Sequence, residues 1–213
     1  MSKIKAVLFD MDGVLIDAKD WHYEALNKAL RLFGMEINRY DHLVTYDGLP
    51  TVKKLEMLTL ERGLPAELHE FINKMKQKYT LDQVYEKCKP VFAHEYALAR
   101  LKAEGIKLAV CSNSIRKSVE IMLDKAMIAQ NFEILLSNQD IVKSKPDPEI
   151  YTTCMQMLGV EPSETLILED NDHGIKAALA SGAHLLAVQS TTDVTYFNIM
   201  DRIKLIEAEG AKC

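Results

Sequence analysis

A nearly continuous apolar run near the N-terminus is the first feature of the chain's hydrophobic pattern. Ile4 begins the run and Ala6–Phe9 completes it. A parallel strand that is covered on both faces is apolar almost continuously, so the run predicts a buried β-strand. Asp10, Asp12 and Gly13 follow directly, and we therefore expect this strand to end in a turn that carries two carboxylates.

The segment 16–88 has a different pattern, with helical periodicity and no strand-like run. Its apolar residues recur at spacings of three and four, as on one face of an amphipathic helix. Gly34 is expected to end the first helix, because glycine readily adopts the left-handed conformation of a helix C-terminus. We predict helices over 20–32, 52–60 and 66–81, and a fourth over 79–89.

From Pro90 onward, short apolar runs alternate with helical segments. The predicted strands are 106–111, 134–136, 166–168 and 184–188, and the predicted helices are 97–103, 112–123, 148–158 and 171–180. Such alternation is typical of right-handed βαβ units and of a parallel sheet with helices on both faces. We therefore predict an α/β fold, a Rossmann-like core of residues 1–15 and 89–213, interrupted by an all-helical cap domain at 16–88.

Composition limits the classes of function. The chain has 213 residues, of which 48% are hydrophobic and 27% charged, with a formal net charge of −5. This balance favours a globular protein and gives no electrostatic reason to expect nucleic acid or a membrane as partner. No apolar run approaches the roughly 20 residues that span a bilayer, and the N-terminus lacks the order of a signal peptide.

The four cysteines are scattered, and no two are spaced as Cys-x-x-Cys. A zinc site or a disulfide framework is therefore not expected, and a reducing cytoplasm is the predicted location. We expect a monomer, because nothing in the pattern indicates an oligomer.

Polar side chains follow three of the predicted strands. Asp10 and Asp12 follow the first, Ser112 and Asn113 the second, and the pair Glu169-Asp170 a later one. The carboxyl ends of parallel strands share one edge of a sheet, where such folds bind ligands. We therefore expect these groups to converge.

Lys145 is a further candidate, because Pro146 and Pro148 stiffen the loop that carries it. Two carboxylates about 5 Å apart repel by roughly 3 kcal/mol at an effective dielectric constant of about 20. A cluster of acids is therefore tolerated only if a cation occupies it or some of the acids stay protonated. All-oxygen ligands suit Mg²⁺ when a phosphate completes the shell. Lys145, and Ser112 at an expected helix N-terminus, then favour a phosphate group as the substrate.

Four motifs in this order resemble the signature of the haloacid dehalogenase-like hydrolases across nearly the whole chain. They are Asp-Met-Asp-Gly-Val-Leu from Asp10, Ser-Asn from Ser112, Lys-Pro-Asp-Pro from Lys145, and Glu-Asp-x-x-x-Gly-Ile-x-Ala-Ala from Glu169. The helical insertion after the first motif is similar to the cap of the subfamily that contains β-phosphoglucomutase and many small-molecule phosphatases.

The resemblance implies a role for each matching residue. Asp10 would be the nucleophile that forms an aspartyl-phosphate, and Asp12 the general acid and base. Asp170 would complete the Mg²⁺ shell together with Asp10 and the backbone carbonyl of Asp12, with Glu169 a direct ligand or a partner of the ligands.

The resemblance further implies that three residues hold the phosphoryl oxygens, namely Ser112, Lys145 and, through its backbone N–H, Asn113. Metal-free dehalogenases lack counterparts of Asp12 and Asp170, and phosphonatases carry a small residue in place of Asp12. Both activities are therefore disfavoured.

A sugar-phosphate mutase is the main alternative. In that enzyme, the loop that matches Gly48–Thr51 carries an arginine that binds a second phosphate, whereas Thr51 stands here. This departure favours a phosphatase, although Lys53 or Lys54 could substitute for the arginine.

We therefore predict a Mg²⁺-dependent phosphatase for a small phosphorylated metabolite, preferably a phospho-sugar or phospho-polyol. A non-catalytic ligand-binding regulator is a further, less favoured alternative. Candidate substrate contacts in the insertion are His22, Gly48 and Thr51.

Overall fold

The computed structural model describes residues 3–210 and contains a five-stranded parallel sheet. The strand order is β3-β2-β1-β4-β5, so the first strand lies at the centre. The strands are β1 (Ala6–Phe9), β2 (Lys107–Cys111), β3 (Ile134–Leu136), β4 (Thr165–Glu169) and β5 (His184–Ala187). The predicted α/β class is confirmed.

The register of β1 explains why the polar groups meet. Phe9 is aligned with Val110 of β2 on one side and with Leu168 of β4 on the other. The next residue of the chain is Asp10, directly after β1, Cys111 at the end of β2, and Glu169 at the end of β4. These residues consequently lie at one level on the carboxyl edge of the sheet.

The chain divides into two compact units, one of residues up to Asp17 and from Lys89 onward, and one of Ala18–Cys88. We call the second the inserted unit. Its helices are α1 (Lys19–Leu30), the single turn α2 (Arg39–Asp41), α3 (Thr51–Arg62) and α4 (His69–Lys87).

The inserted unit has an apolar core of its own, because one face of each long helix is apolar. Gly34 follows α1 and a 3₁₀ turn with φ of 71°, as a helix-ending glycine should. Residues of this core include Leu26, Leu30, Tyr46, Leu55, Leu58 and Ile72.

In the described part of the other unit, α-helices accompany the sheet. They are α5 (Phe92–Ala103), α6 (Arg116–Lys125), α7 (Glu149–Leu158), α8 (Asp172–Ala180) and α9 (Tyr196–Gly210). The side chains of β1 are fully buried, which is why that strand is a continuous apolar run.

Two helix predictions are wrong. The segments 66–81 and 79–89 form one continuous helix, α4, preceded by a 3₁₀ turn, because no glycine or proline interrupts the run after Pro65. Ser112 was expected at a helix N-terminus, yet α6 begins at Arg116 after an extended Ile115. The hydroxyl of Ser112 instead accepts a hydrogen bond from the backbone of Ser114, an arrangement that forms a turn.

In the described part of the chain, no helix is long and apolar enough to cross a membrane. Cys88, Cys111 and Cys154 are buried thiols. Cys213, on which the prediction about cysteine pairing also depended, lies outside the described residues.

Candidate active site

The ammonium group of Lys145 lies between two buried carboxylates at the edge of the sheet. Its Nζ donates to Oδ1 of Asp10 and to Oε1 of Glu169, each at 2.6 Å. The backbone carbonyl of Cys111 accepts a third hydrogen bond at 2.8 Å. The side chain of Lys145 is only 2% exposed, so this ion pair is shielded from water. The expected convergence of Asp10, Lys145 and Glu169 is present in the structure.

The loop that carries Lys145 is anchored at both ends. The Lys145 backbone N–H donates to Oδ1 of Asn113 at 3.3 Å, and the Lys145–Pro146 peptide bond is cis. Glu149, in the first turn of α7, accepts hydrogen bonds from the backbone of Val142 at 2.8 Å and of Lys143 at 2.9 Å. Asn113 therefore contacts the loop through its side chain, which the sequence did not indicate.

A second part of the site is a cluster of acids. Asp10, Glu169 and Asp170 each offer a carboxylate oxygen, and these atoms lie within 4.8 Å of one another. Burial raises the pKa of Asp10 well above its usual value, and the charges of Glu169, Asp170 and Asp12 raise it further, while Lys145 opposes the rise. The cluster thus has more negative charge than one lysine can neutralise.

This donor set fits a divalent metal ion. Carboxylate oxygens are the ligands that Mg²⁺ prefers, and a cation would relieve the repulsion between acids brought this close. Because an ion favours the charged form of its ligands, it would reverse the effect that burial has on Asp10. Asp10 and Asp170 are the described carboxylates best suited to hold it.

Glu169 is fixed more firmly than Asp10. Its Oε1 accepts from the hydroxyl of Tyr151 at 2.5 Å as well as from Lys145. Its Oε2 accepts from the backbone N–H of Asp170 at 3.1 Å and from Nδ2 of Asn171 at 3.4 Å. Both oxygens are thus already bound within the chain.

Burial acts in opposite directions on the pKa values of Lys145 and Tyr151, whereas the neighbouring carboxylates raise both. Burial alone would lower the pKa of Lys145, but the carboxylates of Asp10 and Glu169 raise it above the usual value, so the ammonium stays charged. Burial, together with the charge of Glu169, raises the pKa of Tyr151 well above its usual value, so the phenol remains a hydrogen-bond donor.

Asp12 lies in the turn after β1. Gly13 has φ of 95° and donates to the carbonyl of Ile16 at 2.7 Å, a conformation that glycine adopts without strain. The hydroxyl of Ser114 donates to Oδ2 of Asp12 at 2.8 Å. Ser112 is fully buried, and its hydroxyl accepts from the backbone of Ser114 at 3.0 Å. The two serines therefore connect the second strand end to Asp12.

The three candidate residues of the inserted unit occupy different elements of it. His22 is on α1, and its Nδ1 lies 3.1 Å from Nζ of Lys76 on α4. Gly48 has φ of 71° in the turn before α3, and Thr51 is the first residue of that helix.

A model of the family described as haloacid dehalogenase-like hydrolase matches residues 7–188. The chain belongs to the haloacid dehalogenase-like hydrolase family. The match covers both parts of the sheet-containing unit and the inserted unit between them. The predicted membership is therefore confirmed.

Individual relatives agree with this membership. The phosphoglycolate phosphatase of Aquifex aeolicus (strain VF5) is 29% identical over 212 residues, 96% of this chain and 97% of that protein. The β-phosphoglucomutase of Bacillus subtilis (strain 168) is 27% identical over 193 residues, 87% of this chain and 83% of that protein.

The crystal structure of β-phosphoglucomutase from Clostridium difficile has the same fold. It aligns with a TM-score of 0.82 at 22% identity, and the alignment covers 96% of this chain and 99% of that one. The predicted likeness to the β-phosphoglucomutase-like members of the haloacid dehalogenase-like family is confirmed.

Three residues of the site were not singled out from the sequence. Tyr151 and Ser114 contact Glu169 and Asp12 respectively. Gly174 packs directly against the side chain of Glu169, since a Cβ at Gly174 would lie 1.9 to 2.1 Å from the atoms of that carboxylate. Gly174 is the glycine of the fourth motif, so the sequence did mark its position. The sequence gives no such signal for the hydroxyls of Tyr151 and Ser114, because their contacts depend on how the chain runs between the strands.

Proposed function

We propose that the chain is a Mg²⁺-dependent phosphatase that hydrolyses a small phosphate monoester through an aspartyl-phosphate. The observation that carries this proposal is the placement of Lys145 between Asp10 and Glu169, in a cluster of acids that also includes Asp170, on the carboxyl edge of the sheet. Family membership and the names of relatives, among them a phosphoglycolate phosphatase, support it.

Asp10 is the proposed nucleophile. One of its carboxylate oxygens attacks the phosphorus atom, the bond from phosphorus to the substrate's alcohol oxygen breaks, and the phosphoryl group is then bound to Asp10 as an acyl phosphate. When bound, Mg²⁺ would neutralise the charge of the acids and of the phosphoryl oxygens. Lys145, whose ammonium stays charged in the buried site, stabilises the negative charge of those oxygens.

Asp12 is the proposed acid and base. It donates a proton to the departing alcohol oxygen and later removes a proton from the water that attacks the phosphorus of the intermediate. The hydroxyl of Ser114 donates to Oδ2 of Asp12 and so orients the carboxylate for this exchange. Ser112 and the backbone N–H of Asn113 are the proposed further contacts of the phosphoryl group.

The substrate class proposed is a phospho-sugar or phospho-polyol. A relative from Thermotoga maritima that is named a phosphorylated carbohydrates phosphatase supports this, at 26% identity over 187 residues. Selection among such substrates is proposed for the inserted unit, with His22, Gly48 and Thr51 as candidates. We also infer a monomer that works in a reducing cytoplasm, as the sequence predicts.

A sugar-phosphate mutase is the second candidate, because a β-phosphoglucomutase is among the relatives. That reaction requires a cation for a second phosphate. Near Thr51, Lys53 is a surface residue paired with Glu56 at 2.8 Å, whereas Lys54 is buried. Lys54 is therefore the better candidate for such a contact.

Phosphate release tests the proposal. Phosphorylated sugars and polyols and phosphoglycolate are incubated with the protein in Mg²⁺ or in EDTA, with Asp10→Asn as the inactive variant. Asp124→Asn, an exposed aspartate on α6, is the matched control. We expect release that requires Mg²⁺, is lost in Asp10→Asn and is retained in Asp124→Asn.

Two other outcomes would change the assignment. Isomerisation of a sugar phosphate without net release, lost in Lys54→Met but not in Lys53→Met, would establish the mutase. If no substrate of a broad panel is turned over or phosphorylates Asp10, the phosphatase proposal fails and the non-catalytic ligand-binding regulator becomes the favoured hypothesis.

A further inference from the structure

Tyr151 is a fully buried side chain that touches two members of the site. Its hydroxyl donates to Oε1 of Glu169 at 2.5 Å. The ammonium of Lys145 lies 4.8 Å from the centroid of its ring, within the range of a cation–π contact. Tyr151 stands in the first turn of α7, directly after the loop that carries Lys145. One side chain thus contacts both the cation and one of its two carboxylate partners.

The hydrogen bond from Tyr151 limits how far the carboxylate of Glu169 can rotate. Oε1 is shared by two donors, Tyr151 and Lys145, and Oε2 by the backbone of Asp170 and the side chain of Asn171. Because Gly174 closes the space behind the carboxylate, Glu169 can turn only by giving up one of these donors.

We propose that Tyr151 is a positioning residue of the phosphoryl-transfer site. Its hydroxyl fixes the orientation of Glu169, and through Glu169 it fixes the ammonium of Lys145 and the acidic oxygens that would receive Mg²⁺. This inference rests on the proposed function, and it adds a residue that contacts neither the phosphate nor the metal itself.

The reason for a positioning role is the shared oxygen. Without the hydroxyl, Lys145 is the one side-chain donor that Oε1 keeps among residues 3–210, so the carboxylate is free to move with the lysine or toward the metal. Partners that orient metal ligands typically change metal affinity or activity by 10- to 100-fold when they are removed. A residue that only fills space in the core would change stability and leave the metal dependence as it was.

The inserted unit contains a matched control. Tyr46 is also buried, and its hydroxyl donates to Oε2 of Glu61 at 2.8 Å, far along the chain from the acidic cluster. Tyr46→Phe and Tyr151→Phe therefore remove the same atom from the same kind of hydrogen bond. Each variant keeps its aromatic ring, so packing is preserved in both.

The experiment has two readouts. The first is the Mg²⁺ concentration that gives half of the maximal rise in melting temperature, measured without substrate. The second is the Mg²⁺ concentration for half-maximal phosphate release, with kcat and KM. We expect Tyr151→Phe to raise both Mg²⁺ concentrations roughly tenfold or more and to lower kcat, whereas Tyr46→Phe changes only the melting temperature.

The outcomes separate this inference from the proposed function. Equal Mg²⁺ dependence in the two variants overturns the role of Tyr151, even if the wild type is an active phosphatase. If the wild type releases no phosphate, the phosphatase proposal fails, while a weakened Mg²⁺ effect on the melting temperature of Tyr151→Phe still supports positioning. Tyr151→Leu, which also removes the ring, provides a second variant and should shift the first readout at least as far.

Discussion

The hydroxyl of Ser114 donates to Oδ2 of Asp12 at 2.8 Å and so joins the end of the second strand to the turn after the first. Removing that donor should leave Asp12 less well oriented for proton transfer, a step that contributes roughly 10²- to 10⁴-fold to rate. We expect Ser114→Ala to lower kcat by about tenfold and to change KM little. Steady-state kinetics with the best substrate of the phosphate-release panel measures both.

Ser137 supplies the control for this prediction. Its hydroxyl donates to Oδ2 of Asp140 at 2.6 Å, so it makes the same kind of bond outside the acidic cluster. Ser137→Ala should keep the wild-type kcat. An unchanged kcat in Ser114→Ala would show that Asp12 does not depend on this hydrogen bond.

Replacement of Lys145 by methionine should destabilise the metal-free protein. Asp10 and Glu169 would be left buried without their shared cation, a change that typically costs about 3 to 5 kcal/mol in the free energy of unfolding. Mg²⁺ should restore more stability to Lys145→Met than it adds to the wild type, because it would neutralise the same acids. Urea denaturation with and without Mg²⁺ measures this difference.

Lys143 provides the comparison, because its side chain is 71% exposed and its Nζ lies 3.7 Å from Oδ2 of Asp147. Surface ion pairs contribute about 0 to 1 kcal/mol, so Lys143→Met should unfold almost as the wild type does. Equal losses in the two variants would contradict the buried ion pair.

Gly174→Ala should displace Glu169, because the new Cβ would lie 1.9 to 2.1 Å from its carboxylate atoms. Forcing an extra methyl group into a packed site costs about 1 to 3 kcal/mol, and we expect kcat to fall with it. Gly34→Ala is the control, since Gly34 has φ of 71° and open space around it. That variant should lose stability through backbone strain while kcat stays at the wild-type value; a Gly174→Ala enzyme with wild-type kcat would refute the packing argument.

His42 makes the stability of the inserted unit dependent on pH. Burial, together with the charge of Lys54, lowers the pKa of His42 to about 4. The pKa of histidine in the unfolded chain is about 6.5, so below that pH the unfolded state binds a proton that the folded state does not. The free energy of unfolding should therefore fall as the pH drops from about 6.5 to about 4, by on the order of 2 kcal/mol at pH of about 5.

His42→Phe should remove this contribution, because phenylalanine does not titrate and can pack against the ring of Tyr23, whose centroid lies 4.8 Å away. Denaturation midpoints at about pH 7.5 and about pH 5 give the comparison. If the wild type and His42→Phe lose the same stability between the two pH values, His42 is not the cause of the pH dependence.

The fold was predictable because local pattern and global topology agree in this chain. The continuous apolar run of β1 could be buried on both faces only in a parallel sheet, and the motifs then placed Asp10 and Glu169 at one edge. The extent of α4 was not predictable in the same way, since two overlapping helical patterns do not show whether the chain bends between them.

The contacts of the site were less predictable than its charged groups. Asp10 and Lys145 follow from electrostatics, because several acids at one edge require cations. The hydroxyls of Tyr151 and Ser114 depend on the path of the chain after each strand, which no periodicity encodes.

Trapping of the intermediate on Asp10 tests the central proposal most directly. The protein is mixed with Mg²⁺ and the substrate found in the phosphate-release panel, quenched in acid and reduced with borohydride, which converts an acyl phosphate of aspartate to homoserine. We predict homoserine at position 10 in the wild type and its absence in Asp10→Asn, with aspartate unmodified at positions 12 and 170. Rapid turnover without any modification at position 10 would contradict the proposed mechanism.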